Sequence, residues 1–584
     1  MNKKTENVVK TSSWVATDGL GRKVSTNENA GNERKDRYVG VFFSPWHGSF
    51  AEHQRAYNNQ QILDKYPDID KNDPHDGRWG ERGYHFWNEP IYGYYSGKDR
   101  WVIRRQAEML AAAGVDAIVC DNTNGKFTWC DTMLEVVKVF NEARADGVNA
   151  PKIIFHLPFG GMESTSYQLK ELYDKLYSVE EYAQNWFMWE GKPLIIAISD
   201  ALEKDDPLRD YFTFRYGQPD YLSKQTCDEQ WGWLSMYPQT VYRKKMDSDD
   251  KVEQMTAGVA QNHDYVNKKL TAMNGENVTG RSYTKKNGYT SEENAILYGK
   301  NFAEQFDYVL EKDPSFVLVT CYNEWVASRS DVPWCGVENA FADQFCDEYS
   351  RDVEPTKGAL KDHYYYQMVD YIRKFKGAEK QEEASEPKTV DINGDISEWD
   401  DVSPAYYSYK GNTFDRCYEG YIDPITDKRI LYKDNSGRND LCDFKVAYDD
   451  ENVYFMARCA DGITPYTDKN WMQLYIDTHK DEDGWESFNY VLNKNTPKNE
   501  NRAILERFTG EGFESVTVSE VEYAVLGCVM TVKIPKKDLG ITDKKFTLDF
   551  KWADNVDTKA DVMNFYISGD TAPTGRFKYR FIVK

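Results

Sequence analysis

Between residues 38 and 322 short, almost wholly apolar runs recur along the chain, with helical patterns between several of them. Tyr38–Ser44, Val115–Cys120, Lys152–Leu157, Pro193–Ile198 and Ser315–Tyr322 are the clear runs, and Gln230–Met236, Gln254–Ala260 and Ala340–Phe345 are weaker. A strand that is apolar on both faces must be covered on both, which marks a parallel sheet clad in helices. Amphipathic helices are predicted at Trp101–Ala113, Thr132–Ala145 and Glu293–Lys312. Eight strand–helix units predict a (β/α)₈ barrel of about 340 residues with insertions. A doubly wound sheet would need a Gly-rich first turn, and Ser44-Pro45-Trp46-His47-Gly48 is not one.

Residues 378–389, Ala-Glu-Lys-Gln-Glu-Glu-Ala-Ser-Glu-Pro-Lys-Thr, are charged and aperiodic and read as a linker. After it the pattern changes to strands alone. Phe444, Val446 and Tyr448 alternate with polar residues, Asp449-Asp450-Glu451-Asn452 turns the chain, and Val453-Tyr454-Phe455-Met456 returns it. Further runs lie at Trp471–Asp477, Phe488–Leu492, Val529–Ile534, Phe546–Trp552 and Arg576–Val583. They predict an antiparallel β-sandwich. The expected division is an N-terminal extension over 1–36, the barrel over 37–377, the linker, and the sandwich over 390–584.

Composition narrows the function. The formal net charge is −23, from 73 Lys+Arg against 96 Asp+Glu, which argues against nucleic acid or an anionic membrane as partner. No stretch approaches the ~20 apolar residues of a membrane helix. The 16 Trp, 41 Tyr and 28 Phe exceed what cores need and suit stacking on the apolar faces of sugar rings. The ten cysteines form no CxxC pair and the eight histidines no HExxH, so no metal centre is expected. Neither a phosphate-binding loop nor a GxSxG elbow is present. The start, Met1–Asn7, is basic but leads into no apolar segment, so the chain as written reads as cytoplasmic, or as exported with its signal already removed.

In a barrel the chemistry sits at the C-terminal strand ends. The first strand ends in Trp46-His47-Gly48, and a connection of about 50 residues, long enough to be functional, carries His85-Phe86-Trp87-Asn88-Glu89-Pro90. The second strand ends in Asp121-Asn122-Thr123-Asn124, the third in His156-Leu157-Pro158, and the seventh in Tyr322-Asn323-Glu324-Trp325, with Asp343 in the eighth. A carboxylate right after an apolar strand is costly inside and useful at the rim. Glycoside cleavage requires two such groups, one to protonate the leaving oxygen and one as nucleophile or base. Glu324, Asp121 and Asp343 are the catalytic candidates; Trp46, His47, Trp87, Glu89, Asn124, His156, Asn323 and Trp325 are candidates for holding sugar. A helix cap or a structural histidine would use the same residue types.

The segment Val319-Thr320-Cys321-Tyr322-Asn323-Glu324-Trp325 resembles the Asn-Glu-Trp signature of glycoside hydrolase family 99 and its family 71-like and WbsX-like relatives. Trp14-Val15-Ala16-Thr17-Asp18, Trp46-His47-Gly48, Trp87–Tyr95 and Ser350-Arg351-Asp352-Val353-Glu354-Pro355 resemble a bacterial family 99-like subgroup, over about residues 14–378. The resemblance implies that Glu324 is the base or nucleophile-like group. The family's second glutamate, three residues on, is here Ala327, so the acid must come from another strand end, Asp121 before Asp343. Asp391-Ile392-Asn393-Gly394-Asp395-Ile396-Ser397-Glu398-Trp399 and Gln473–Asp477 resemble the family 9 carbohydrate-binding module and DOMON-like sandwiches. That likeness implies a sugar site between tryptophans, with Trp471, Trp485 and Trp552 available, and a structural calcium, or else a purely structural domain.

Three readings follow. The first is a glycoside hydrolase acting on an oligo- or polysaccharide without a cofactor. The second is a non-catalytic glycan-binding protein, given Ala327. The third is a polysaccharide-biosynthesis enzyme, which would need a basic diphosphate site that the sequence lacks.

Overall fold

The computed structural model describes residues 8–48, 54–480, 484–510, 512–557 and 561–584. Met1–Asn7, on which the reading of the chain's start rested, lie outside them. No helix among the described residues is long and apolar enough to cross a membrane.

Eight parallel strands form the first sheet: β1 (Tyr38–Phe43), β2 (Ala117–Asp121), β3 (Lys152–His156), β4 (Lys192–Ile196), β5 (Thr213–Gln218), β6 (Gln230–Gly232), β7 (Gln254–Gly258) and β8 (Phe316–Thr320). Their order is β7-β8-β1-β2-β3-β4-β5-β6, the cyclic order of a barrel with one seam. The Gln254 side chain stitches that seam. Its amide Nε2 donates to the Gly232 carbonyl at 2.8 Å, and its Oε1 accepts from the Gly232 N–H at 3.1 Å.

The alternation of strand residues sorts the two faces. Phe42, Ala117, Val119, Ile154, Leu194, Ile196, Trp231, Phe316 and Leu318 form one buried cluster, the barrel interior. Val39, Val41, Ile118, Cys120, Ile153 and Phe155 belong to the other, under the helices. Helix α1 (Arg100–Ala113) starts where the Asp99 carboxylate accepts from the Trp101 N–H and stops at Gly114 in the left-handed region. It packs against α2 (Cys130–Ala145) and α3 (His363–Lys376).

Two sequence assignments change. The Asn-Glu-Trp segment follows the eighth barrel strand, not the seventh, because β5 carries no unbroken apolar run. Arg215 interrupts it, buried and paired with Glu253 at 2.6 Å. Ala340–Phe345, expected as the eighth strand, is a rim segment in which Phe341 makes one bridge to Arg329 and packs with Phe345 on Trp79. The long connection after β1 also has structure of its own. Gly83–Phe86 pairs antiparallel with Val326–Arg329, the stretch just beyond Trp325.

Residues 378–389 carry no helix or strand. Beyond them eleven strands join one antiparallel sheet, built on the hairpin Leu441–Tyr448/Asn452–Cys459 and ending in Tyr579–Val583. Phe455 and Phe550 meet at 5.7 Å although their strands are far apart in the sheet order, so the sheet curls back on itself. Trp471, Trp485 and Trp552 are 2%, 6% and 0% exposed, so all three are core residues and none offers a face to sugar. Asp477, His479 and Asp549 gather close enough to suggest a cation site. Lys578 and Arg580 already pair with those carboxylates at 3.0 and 2.7 Å, so the group does not fit the implied calcium, which needs free oxygen ligands.

Candidate active site

At the C-terminal mouth of the barrel lies a cavity of about 620 Å³. Asp121, the last residue of β2, and Glu324, four residues past β8, both line it, with Asp343 from the rim segment. Trp46 and Asn124 line it too. These five sequence candidates are thus brought together from chain positions up to 297 residues apart by the strand order that sets β8 beside β1 and β1 beside β2.

Glu324 is held by a strap, residues 350–354, running beside the loop after β8. The Cys321 N–H donates to the Arg351 carbonyl at 2.9 Å, and the Glu354 N–H to the Tyr322 carbonyl at 3.0 Å. Three strap side chains then serve the loop and its neighbour Trp87. Arg351 Nη2 donates to Glu324 Oε2 at 2.7 Å, and Asp352 Oδ1 accepts from the Glu324 N–H at 2.6 Å. Trp325 Nε1 donates to Glu354, and Trp87 Nε1 to Asp352 Oδ2 at 2.7 Å. Gln344 Nε2 adds a second donor to Glu324 Oε2 at 3.2 Å, and the Cys321 thiol a third at 3.4 Å.

Burial pushes the Glu324 carboxyl above the ordinary glutamate range; Arg351 pulls it down, and Asp343, Asp352 and Asp121 push it up by repulsion. Arg351 also reaches Asp343 Oδ1 at 3.3 Å and lies 5.3 Å from the Trp233 ring centroid. Its charge is therefore shared between two carboxylates and an aromatic face.

Asp121 is set differently. Its described donors are the Thr123 hydroxyl (2.7 Å), the Thr123 N–H (3.1 Å) and Trp46 Nε1 (3.4 Å). None is a cation, and burial raises its carboxyl above the usual aspartate value. Asp343 keeps a side chain 47% exposed, at the rim.

The remaining candidates do not line the cavity. Trp87 and Trp325 stack on each other at 4.6 Å, both 1% exposed or less, and floor the rim sheet. His47 Nε2 donates to the Asn323 carbonyl at 2.6 Å, and burial lowers its imidazole to about 4. Asn323 ties β8 to β1, its Oδ1 accepting from the Ser44 N–H at 2.9 Å. His156 is buried beneath Phe159, neither ring nitrogen bonded among the described residues, and burial lowers it to about 3. Glu89 pairs with Lys357 at 2.6 Å, away from the cavity.

The walls are aromatic: Phe42, Tyr84, Phe127, Trp129, Phe159 and Trp233 join Trp46. Sequence reading passed over these and Arg351. Phe159 and Trp233 follow β3 and β6 within three residues, so the strand-end rule that finds Asp121 also reaches them. Arg351 has no spacing signature; only the strap's course brings it to Glu324. Ala327 is fully buried, while its neighbours Val326 and Ser328 line the cavity, so strand alternation turns position 327 to the opposite face.

Carboxylates that share an aromatic cleft can transfer a proton and stabilise positive charge on a bound ring. The sequence matches no family model and no curated protein. Among solved structures it is similar to a family 99 (GH99) endo-α-mannosidase from Bacteroides thetaiotaomicron. In complex with bis-tris-propane that structure is 14% identical with a TM-score of 0.32, and the match covers 58% of this chain and 97% of the other. A second structure of the enzyme gives 13%, 0.34, 58% and 98%.

Proposed function

We propose that the chain is a glycoside hydrolase, cleaving a glycosidic bond in an oligo- or polysaccharide at the mouth of the barrel. The observation that carries this reading is the cavity at the strand ends that joins Glu324, Asp121 and Asp343 to a wall of aromatic rings. In this reading the part over 37–377 is the catalytic barrel. Residues 390–584 are a sandwich-like structural partner, a role their buried tryptophans support better than glycan capture.

The two buried carboxyls divide the work by their partners. Burial raises both carboxyls, but of the two only Glu324 has a guanidinium against it, which opposes that rise and favours the ionised form, so Glu324 serves as nucleophile or base. Asp121 has only neutral donors and a raised carboxyl, which suits an acid that holds its proton for the leaving oxygen. Asp343, on the rim, shares Arg351 and tempers its charge. The aromatic walls stack on sugar rings. Arg351 is the only cation among the described lining residues and is already engaged, which favours neutral sugars over uronates or sulfated ones.

A non-catalytic glycan binder is less well supported, since Asp121 and Asp343 supply the second carboxyl that Ala327 does not. The test is a screen of wild type and Glu324→Gln against plant, host and microbial glycans, with released sugars read by chromatography. Products from wild type alone support the hydrolase. Glycan binding without products from either protein refutes it.

A further inference from the structure

The strands Arg416–Ile422 and Arg429–Asp434 form a hairpin outside the large C-terminal sheet, lying instead on the barrel's long first connection. Its contacts there are specific. The Gly48 N–H, two residues past the cavity residue Trp46, donates to the Tyr421 hydroxyl at 2.7 Å in a buried bond. The Ile422 N–H donates to the Gln54 carbonyl at 3.1 Å, and the Ala56 N–H to the Ile422 carbonyl at 2.9 Å. The Gln54 side chain in turn accepts from the N–H of Tyr84, a second cavity residue, at 3.1 Å. The Tyr421 ring meets Phe86 edge-on at 5.0 Å, and Asp427 pairs with Arg55 at 2.8 Å outside.

We infer that Tyr421 is a positioning residue for the active site, holding the wall formed by Trp46 from the far part of the chain. This rests on the hydrolase reading above and extends it to a residue more than 90 positions beyond the strand-end glutamate. The physical route is short. Gly48 has φ +79°, a left-handed turn, and among the described residues its buried N–H is taken up by the Tyr421 hydroxyl. Loss of that acceptor leaves a buried donor unsatisfied, and the turn must move to find water. Trp46 Nε1, carried by the same turn, donates to Asp121 Oδ2, the acid of the reaction. Tyr421 therefore acts on catalysis through Trp46 and Asp121 and touches no substrate.

The test uses the full chain with Tyr421→Phe, which keeps the ring on Phe86 and removes only the hydroxyl. Two readouts are taken. In hydrogen exchange by mass spectrometry, peptides covering 44–48 exchange at least about tenfold faster than in wild type, while those covering 117–121 and 452–459 do not change. In sugar release, kcat falls about tenfold with KM nearly constant, and the basic limb of the pH profile moves up, because the indole donor that lowers the Asp121 carboxyl is displaced. Trp46→Phe moves the same limb, and adding Tyr421→Phe to it moves it no further. Unchanged exchange over 44–48, or additive effects of the two substitutions, overturns the inference. If wild type releases no sugar, the hydrolase reading fails, and the exchange result alone decides whether Tyr421 holds the turn. If Tyr421→Phe does not fold, Asp427→Asn loosens the same hairpin from outside and is held to the same exchange criterion.

Discussion

Arg351→Met tests the electrostatic core of the site. The guanidinium lies 2.7 Å from Glu324, both side chains nearly inaccessible at 1% and 9%. At an effective dielectric of about 20 that separation corresponds to roughly 6 kcal/mol of attraction. Removing one partner of a buried pair costs about 3–5 kcal/mol, because the other charge stays behind without its counter-ion. For a unit this large about 2 °C of Tm corresponds to each kcal/mol, so the barrel transition should fall by roughly 6–10 °C at pH 7. Methionine fills much of the space of the arginine stem and removes the guanidinium that lies over Trp233, so the loss reports charge more than volume. Two further measurements isolate it. Adding Glu324→Gln removes the stranded charge and should recover more than half of the lost Tm. Lowering the pH to 5 should shrink the deficit of the single variant. Without Arg351, which pulls it down, the buried Glu324 carboxyl rises further, so at pH 5 a proton takes the guanidinium's place. Differential scanning fluorimetry across pH gives all of these. A loss under 2 °C, or no recovery in the double variant, would refute the argument that Arg351 is there to hold an ionised Glu324.

Asp121→Asn should slow hydrolysis of ordinary glycans by about 10²–10⁴-fold and spare dinitrophenyl glycosides, whose leaving group needs no proton; equal losses on both would remove Asp121 as the acid. Stability should decline as pH rises from about 6.5 to 8, because burial raises Glu354 to about 7, so the folded chain holds a proton that the unfolded one releases nearer 4; below that range His47 and His156, which burial keeps neutral, add stability with rising pH and offset the like contribution of Asp352, raised to about 6. The Glu354 contribution is complete below the unfolded value and is lost as pH passes 7; a Tm flat or rising from about 6.5 to 8 would contradict it. Gly217→Ala would set a Cβ 2.6 Å from His156 Nε2 and 3.0 Å from the Phe159 ring, costing about 1–3 kcal/mol; an unchanged Tm would mean that the third strand's end yields freely.

The sequence by itself determined the barrel's strands wherever the apolar run is unbroken, as in β1, β2, β3, β4 and β8. A strand covered on both faces must read as apolar at every position. It also determined Glu324 and Asp121 as carboxylates at strand ends, since a charge directly after such a run has only the rim to occupy. Where a polar residue is buried by pairing, that logic fails. Arg215, neutralised by Glu253, hid β5, and with it the count that puts Asn-Glu-Trp after the eighth strand. Aromatic residues mislead in the same way, because stacking against a protein neighbour and against a sugar look alike in a sequence. Tertiary structure alone decided that Trp87 and Trp325 stack on each other while Trp46 and Trp233 face the cavity. It alone brought Arg351 to Glu324 and the Tyr421 hydroxyl to Gly48. Those contacts join distant segments through single hydrogen bonds and ion pairs, which leave no period in the chain; their partners exist only once the barrel has closed.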